Sequence, residues 1–133
     1  MKRPKKQILL AEDDAPLRQT LAAYLEVAGY TVHQASDGAR ALALYEKHRP
    51  NVVVMDMVMP HMEGSEAVMV LSRRYPEARI LAISGGGHDS GETYLRVAAR
   101  LGAHATLAKP FHPEALVSAI KQLLGPSEEG VVS

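Results

Sequence analysis

Residues 8–35 read ILLAEDDAPLRQTLAAYLEVAGYTVHQA, and this stretch predicts a strand, a helix and a second strand. Its first four residues form an apolar run typical of a short buried strand, and the later apolar residues recur at helical spacing. Asp14 is a suitable N-cap, Pro16 is tolerated in a first helical turn, and Gly29 can close the helix. Residues 31–35 then form the next strand. The stretch is therefore typical of an α/β protein.

The same alternation of short apolar runs and amphipathic segments continues through the chain. Further strands are predicted at residues 52–55, 79–83 and 105–108, and further helices at residues 64–75, 92–101 and 113–124, with another helix ending before Pro50. Strands that are apolar throughout belong inside a parallel sheet that helices cover on both faces. We therefore expect a doubly wound, flavodoxin-like α/β sandwich with five helices and a five-stranded parallel sheet in the order 2-1-3-4-5.

Length and composition narrow the class of protein. The chain has 133 residues, which suits one domain, and its 15 basic and 15 acidic residues create no strong field for nucleic acid or a membrane surface. It contains no cysteine, which excludes disulfides and thiolate metal sites. No apolar run is long enough to span a bilayer. We expect a cytoplasmic protein that binds neither nucleic acid nor membranes directly.

Polar residues stand at the ends of four predicted strands. Glu12 and Asp13 follow the first strand, Asp56 the third, Ser84 ends the fourth and Lys109 follows the fifth. In open parallel sheets the functional crevice lies at these carboxyl ends, near the point where strand order reverses. Three carboxylates brought together repel one another, and one lysine supplies too little charge to neutralise them. A hard divalent cation is therefore expected, and all-oxygen ligands suit Mg²⁺, or Mn²⁺ in its place.

Four motifs in order resemble those of one family. They are ILLAEDD at 8–14, MDMVMP at 55–60, MEG at 62–64 and KPF at 109–111. Together they resemble the response regulator receiver domain of bacterial two-component systems, of the stand-alone type. The resemblance implies a receiver domain at residues 7–124, with a basic N-terminal arm at 1–6 and a polar C-terminal tail at 125–133.

The resemblance also implies a role for each residue of the metal site. Asp56 would be the nucleophile that takes up a phosphoryl group, and it would also be a ligand of Mg²⁺. Asp13 would bind the ion directly, Glu12 would bind it through water, and the backbone carbonyl of Val58 would complete the protein's share.

Two further residues of the motifs would handle the phosphoryl oxygens. A carboxylate that attacks phosphorus needs the charge on those oxygens to be absorbed, and Lys109 offers an ammonium for this purpose. Ser84 offers a hydroxyl, and by moving to reach the phosphoryl group it would draw the following loop inward. By the same resemblance, the peptide bond between Lys109 and Pro110 is expected to be cis.

The function implied by the resemblance is a signalling switch. It would accept its phosphoryl group from a histidine kinase or a histidine phosphotransfer protein, and it would act through contacts with a downstream protein that the sequence does not name. Its own chemistry would be limited to Mg²⁺-dependent self-phosphorylation and self-dephosphorylation, so we do not expect an enzyme in the ordinary sense.

Three alternatives remain open. The chain could be a receiver module cut from a longer regulator or a hybrid kinase. An aspartyl-phosphate phosphatase would also place an aspartate after a strand, but such enzymes usually need a second aspartate two positions on, where this chain has Val58. A flavodoxin-like nucleotide carrier is disfavoured because the acidic turn after the first strand would repel phosphate.

The chain departs from the receiver pattern at four places. Ser84 stands where threonine is commoner, which does not prevent the mechanism. Thr106 stands where receivers usually carry an aromatic residue, three positions before the lysine, and Gly85 stands where alanine is usual. The loop from Ser84 to Glu92 is longer than usual and rich in glycine, so we expect it to be mobile.

Overall fold

The computed structural model describes residues 4–59, 62, 64–85 and 90–125, and for residues 90–94 it describes the backbone alone. Parts of four sequence predictions therefore lie outside the described residues. They are residues 1–3 of the basic arm, Pro60 and Glu63 of the central motifs, residues 86–89 of the glycine-rich loop and residues 126–133 of the tail.

Five strands and five helices alternate along the described part of the chain. The strands are β1 (Gln7–Ala11), β2 (Thr31–Ala35), β3 (Val52–Asp56), β4 (Ile80–Ser84) and β5 (Ala105–Ala108). The helices are α1 (Ala15–Val27), α2 (Gly38–His48), α3 (Gly64–Arg74), α4 (Ser90–Leu101) and α5 (Pro113–Leu124). All strand pairs are parallel and the sheet order is β2-β1-β3-β4-β5, which confirms the predicted architecture.

Some predicted boundaries are wrong by one or two residues. Asp56 was expected to follow its strand, but it is the last residue of β3 and pairs with Ile83 of β4. Ser84 ends β4, as expected, and pairs with Ala108, whereas the strand begins at Ile80, one residue later than predicted. At the helices, α3 ends one residue earlier and α4 begins two residues earlier than predicted. The strand ends moved because pairing with a neighbouring strand, and not local hydrophobicity, decides where a strand stops.

Helix α1 begins and ends as its sequence indicates. The side chain of Asp14 accepts a hydrogen bond of 3.1 Å from the backbone N–H of Leu17, so it caps the helix. After the helix, Gly29 adopts a φ of 106°, a conformation that residues with a Cβ rarely take. The acidic turn between β1 and α1 is therefore anchored by a capped helix.

Alternate residues of each central strand enter two separate apolar clusters. Leu9 and Val53 pack on the face covered by α2, α3 and α4, whereas Leu10 and Val54 pack on the face covered by α1 and α5. All four side chains are fully buried, and burying an aliphatic side chain of this size stabilises the fold by about 1.5 to 3 kcal/mol. The two-sided core holds the ends of β1 and β3 at one edge of the sheet.

The outer strands are less well covered. Only Ala35 of β2 is fully buried, and residues alternate between half-buried and exposed along β5. Thr106, at the position where receivers usually have an aromatic residue, is exposed. None of the helices among the described residues has the length and apolar character that crossing a membrane requires.

Candidate metal centre

A cleft of about 350 Å³ opens at the carboxyl edge of the sheet. Its lining residues are Glu12, Asp13, Asp14, Asp56, Val58, Gly85 and Lys109. The structure thus brings together every residue predicted to contribute to the site except Ser84, which does not line the cleft. The three acidic residues of the predicted metal site come from the turn after β1 and the end of β3.

The three carboxylates form one cluster. Glu12, Asp13 and Asp56 each offer an oxygen, and these oxygens all lie within 4.8 Å of one another. Glu12 and Asp56 are buried, with 1% and 4% of their surface exposed, whereas Asp13 is exposed. An all-oxygen donor set with one side open to solvent fits Mg²⁺ or Mn²⁺, which keep several water ligands. The arrangement of donors therefore supports the cation that the sequence predicts.

Burial and the neighbouring carboxylate change the pKa of Asp56. Burial, reinforced by the negative charge of Glu12, raises the pKa of Asp56 to about 7, although the Val58 N–H and Lys109 act in the opposite direction. The Val58 N–H donates a hydrogen bond of 3.1 Å to Asp56 Oδ1. Without further positive charge, Asp56 therefore ionises less readily in the folded protein than an exposed aspartate does.

Lys109 supplies the cationic side chain of the cleft. Its Nζ lies 2.7 Å from Glu12 Oε1, close enough for an ion pair although the angles are not those of a hydrogen bond. The distance from Nζ to Asp56 Oδ2 is 3.4 Å. Burial by itself would lower the pKa of Lys109, but the two carboxylates outweigh it and the pKa is raised. Lys109 is therefore a stable cation, and the peptide bond to Pro110 is cis, as expected.

Gly85 makes room for this lysine. A Cβ on Gly85 would collide with the Lys109 side chain, so even alanine would require the side chain or the backbone to shift. The glycine that replaces the usual alanine therefore has a local steric consequence in this chain.

Ser84 lies beside the cleft and not in its lining. It is buried at the end of β4, and its carbonyl accepts a hydrogen bond of 2.9 Å from the Lys109 N–H. The Ser84 hydroxyl has no hydrogen-bond partner among the residues that the structure describes. Buried hydroxyls normally have one, so this group is available for a new acceptor.

Sequence reasoning missed one residue that contacts the acidic turn. Arg18 Nη1 donates a hydrogen bond of 2.8 Å to the backbone carbonyl of Glu12. Arg18 stands four residues after the N-cap Asp14, and helical side chains tilt toward the N-terminus. That spacing was the available signal, since it directs a first-turn side chain toward the turn that precedes the helix.

A family model and the sequences of known proteins match most of this chain. The family model described as the response regulator receiver domain matches residues 8–121. Chemotaxis protein CheY of Thermotoga maritima is 31% identical over 119 residues, which cover 89% of this chain and 97% of that protein. The "Probable transcriptional regulator ycf27" of Cyanophora paradoxa is 32% identical over 129 residues, which cover 97% of this chain but 52% of that protein.

Solved structures agree with the sequence matches. A CheY-like response regulator receiver domain protein from Methanospirillum hungatei superposes with a TM-score of 0.82 at 27% identity. The match covers 91% of this chain and 94% of that one. By contrast, the chain spans only about half the length of the ycf27 regulator.

Proposed function

This chain belongs to the response regulator receiver domain family, and we propose that Asp56 is its phosphoryl acceptor. Receiver domains of two-component systems are signalling modules and not ordinary enzymes. The observation that carries the proposal is the placement of Asp56. It is a buried carboxylate at the end of β3 that clusters with the carboxylates of Glu12 and Asp13, in a cleft that Lys109 also lines. The phosphoryl donor would be a histidine kinase or a histidine phosphotransfer protein.

The proposed reaction is a transfer from a phosphohistidine. A carboxylate oxygen of Asp56 attacks the phosphorus, the phosphorus–nitrogen bond breaks, and the imidazole nitrogen leaves with the bonding electron pair and takes up a proton. The product is an acyl phosphate on Asp56. The Lys109 ammonium, 3.4 Å from Asp56 Oδ2, is close enough to donate hydrogen bonds to the phosphoryl oxygens.

Mg²⁺, or Mn²⁺ in its place, is proposed as the cofactor. Asp13, Asp56 and the Val58 carbonyl would hold it directly, and Glu12 would hold it through water. The bound ion would supply positive charge that favours ionised Asp56 and offsets the charge of the phosphoryl oxygens. The raised pKa of Asp56 supports this role, because Lys109 alone does not offset the burial of Asp56 and the charge of Glu12.

Ser84 is proposed as the residue that senses phosphorylation. Its hydroxyl is buried without a partner in the described part of the chain, so a phosphoryl oxygen would give it an acceptor. Movement of Ser84 would shift Gly85, which lines the cleft and contacts Lys109. The output would be a contact with a downstream protein. The receiver domain at 7–124 would make this contact, with an arm at 1–6 and a tail at 125–133 on either side of it in the sequence. We place the protein in the cytoplasm.

Two other functions can be compared with this one. A receiver module of a longer regulator or hybrid kinase would use the same chemistry, and the partial coverage of the ycf27 regulator is compatible with it. An aspartyl-phosphate phosphatase is less well supported, because the second acid that it would need is replaced by Val58, whose side chain is apolar and partly exposed.

Acetyl phosphate with Mg²⁺ followed by intact-protein mass spectrometry tests the proposal. We expect one phosphoryl group on the wild-type protein and none on Asp56→Asn, which keeps the shape of the side chain but loses the nucleophile. Asp14→Asn is a matched control in the same cleft, since asparagine also caps a helix, and it should remain phosphorylated. An adduct on Asp56→Asn would move the acceptor elsewhere, and steady turnover without an adduct would favour a phosphatase.

A further inference from the structure

We propose that Arg18 is a positioning residue that holds the peptide between Glu12 and Asp13 in the geometry needed for a divalent cation. The inference rests on the proposed function, because it concerns the same cation. It assigns a role to a residue of α1 that does not line the cleft.

The guanidinium of Arg18 joins two elements of the fold. Nη1 donates to the Glu12 carbonyl at 2.8 Å, and Nε donates to Gln34 Oε1 at 3.2 Å. Gln34 lies on β2, where it pairs with Leu10 of β1. The planar guanidinium therefore ties the turn after β1 to the edge strand, and lysine has no comparable pair of donors in a fixed plane.

Within this turn, Arg18 binds the Glu12 carbonyl, whereas the other polar groups of Glu12 have different partners. The Glu12 N–H still bonds to the Ala35 carbonyl at 3.0 Å, which continues the β1–β2 pairing. The Glu12 carboxylate is held by the Asp14 N–H at 3.1 Å and by Lys109. The Glu12 carbonyl, in contrast, belongs to the peptide that leads into Asp13, and Arg18 binds it.

Asp13 depends on that peptide for its position. Its side chain is exposed, and within the described part of the chain no side-chain hydrogen bond holds its carboxylate. Among the groups that the structure describes, the backbone alone therefore places the proposed direct ligand. Residues that orient a ligand typically change metal affinity about 10-fold or more when they are removed.

The direction in which removal of Arg18 changes cation affinity distinguishes a positioning role from a purely electrostatic one. A cation near a cluster of carboxylates repels Mg²⁺, so removing the charge of Arg18 would by itself strengthen cation binding. A positioning residue does the opposite, since its removal lets the Glu12–Asp13 peptide relax and weakens binding.

The experiment is a titration with Mn²⁺, in which electron paramagnetic resonance measures the free ion. We expect Arg18→Ala to weaken Mn²⁺ binding about 10-fold and Arg18→Lys to restore only part of it. The control Arg73→Ala removes an exposed cation from the last turn of α3 and should leave the affinity unchanged. Circular dichroism during thermal unfolding checks that each variant is folded.

Gln34→Ala provides a second, milder test. It removes the other anchor of the guanidinium, so it should weaken Mn²⁺ binding less than Arg18→Ala does. It should have no further effect in an Arg18→Ala background, because it acts through Arg18. Unchanged or tighter binding by both Arg18→Ala and Gln34→Ala would overturn the inference. Absence of Mn²⁺ binding by the wild-type protein would overturn the proposed cofactor and the inference with it.

Discussion

The Lys109 ammonium lies closer to Glu12 than to Asp56, with Nζ 2.7 Å from Glu12 Oε1 and 3.4 Å from Asp56 Oδ2. Glu12 is the more deeply buried of the two acids, and a buried charge is costly unless it is paired. The lysine is thus shared, and its charge compensates Asp56 only in part. Burial of Asp56 and the charge of Glu12 therefore outweigh the shared lysine, and the pKa of Asp56 is raised.

The two acids of the turn should contribute unequally to Mg²⁺ binding. We expect Asp13→Ala to weaken it strongly and Glu12→Ala to weaken it less, because a direct ligand loses more than a group that acts through water. Titration calorimetry with Mg²⁺ ranks the two variants, and Glu46→Ala, which removes an exposed acid of α2 outside the cleft lining, is the control. Equal losses, or a larger loss for Glu12→Ala, would contradict the proposed assignment of direct and water-mediated ligands.

Asp56→Asn should stabilise the protein when no divalent cation is bound. The pKa of Asp56 rises from 3.8 to about 7 on folding. Ionisation of Asp56 therefore destabilises the fold progressively as the pH rises from about 4 to about 7, and by its full amount above pH 7. One pKa unit corresponds to about 1.4 kcal/mol. Allowing for screening by solvent and relaxation of the site, we expect a gain of about 2 kcal/mol near pH 8 and almost none near pH 4.

Urea unfolding in the presence of a chelator measures this gain at both pH values. The comparison is between wild-type protein and Asp56→Asn at each pH, so that effects common to both proteins cancel. A gain of the same size at both pH values would show that ionisation of Asp56 is not its cause.

His33 should make the protein less stable in mild acid. Its ring stacks on His48 with centroids 3.9 Å apart, and its Nε2 lies 2.8 Å from Gln7 Oε1. Burial, then His48 and then Lys47 lower the pKa of His33 below 6.5. His33 therefore binds a proton more readily in the unfolded chain than in the folded one. The free energy of unfolding falls as the pH drops below the ordinary histidine pKa of 6.5.

His33→Gln should remove part of that decline, and this can be measured as the free energy of unfolding across the range from neutral to mildly acidic pH. His112→Gln changes an exposed histidine and serves as the control. If wild type and His33→Gln lose stability in parallel as the pH falls, the stacked pair does not cause the decline.

Ser84→Ala should separate phosphorylation from the structural response to it. We expect the variant to accept a phosphoryl group on Asp56 but to lose most of the change that beryllofluoride with Mg²⁺ produces in the wild type. The reason is that a ligand shifts a conformational equilibrium only through contacts that differ between the two states. Amide exchange in the loop after Ser84 and in α4 is the measurement, and matching changes in both proteins would exclude this hydroxyl as the sensor.

Gly64→Ala should destabilise the protein through the backbone of the proposed acceptor. A Cβ on Gly64 would collide with the Asp56 carbonyl and lie 2.6 Å from Met57 Cα. Neither backbone atom can move freely, so we expect a loss of about 1 to 3 kcal/mol in the free energy of unfolding. Glu66→Ala alters an exposed residue of the same first turn. A denaturant midpoint for Gly64→Ala equal to that of this control would show that the turn adapts without cost.

Local patterns were sufficient to predict the fold. The apolar runs and the capped helix after Asp14 predicted the order of elements, and the rules for parallel sheets then led to the strand order that the structure has. The carboxylate cluster was predictable for the same reason. Glu12, Asp13 and Asp56 follow or end strands, and parallel strands bring their carboxyl ends to one edge. The roles proposed for these residues, and the mobility expected after Ser84, remain predictions.

Tertiary packing decided the contacts between side chains. Strand pairing extended β3 to include Asp56, and the packing around the end of β4 buries the Ser84 hydroxyl beside the cleft. The 2.7 Å contact of Lys109 with Glu12 and the reach of Arg18 to the Glu12 carbonyl also arise only in the folded chain. Sequence periodicity specifies which face of an element a residue occupies. It does not specify distances between groups on different elements, because those depend on how strands and helices pack together.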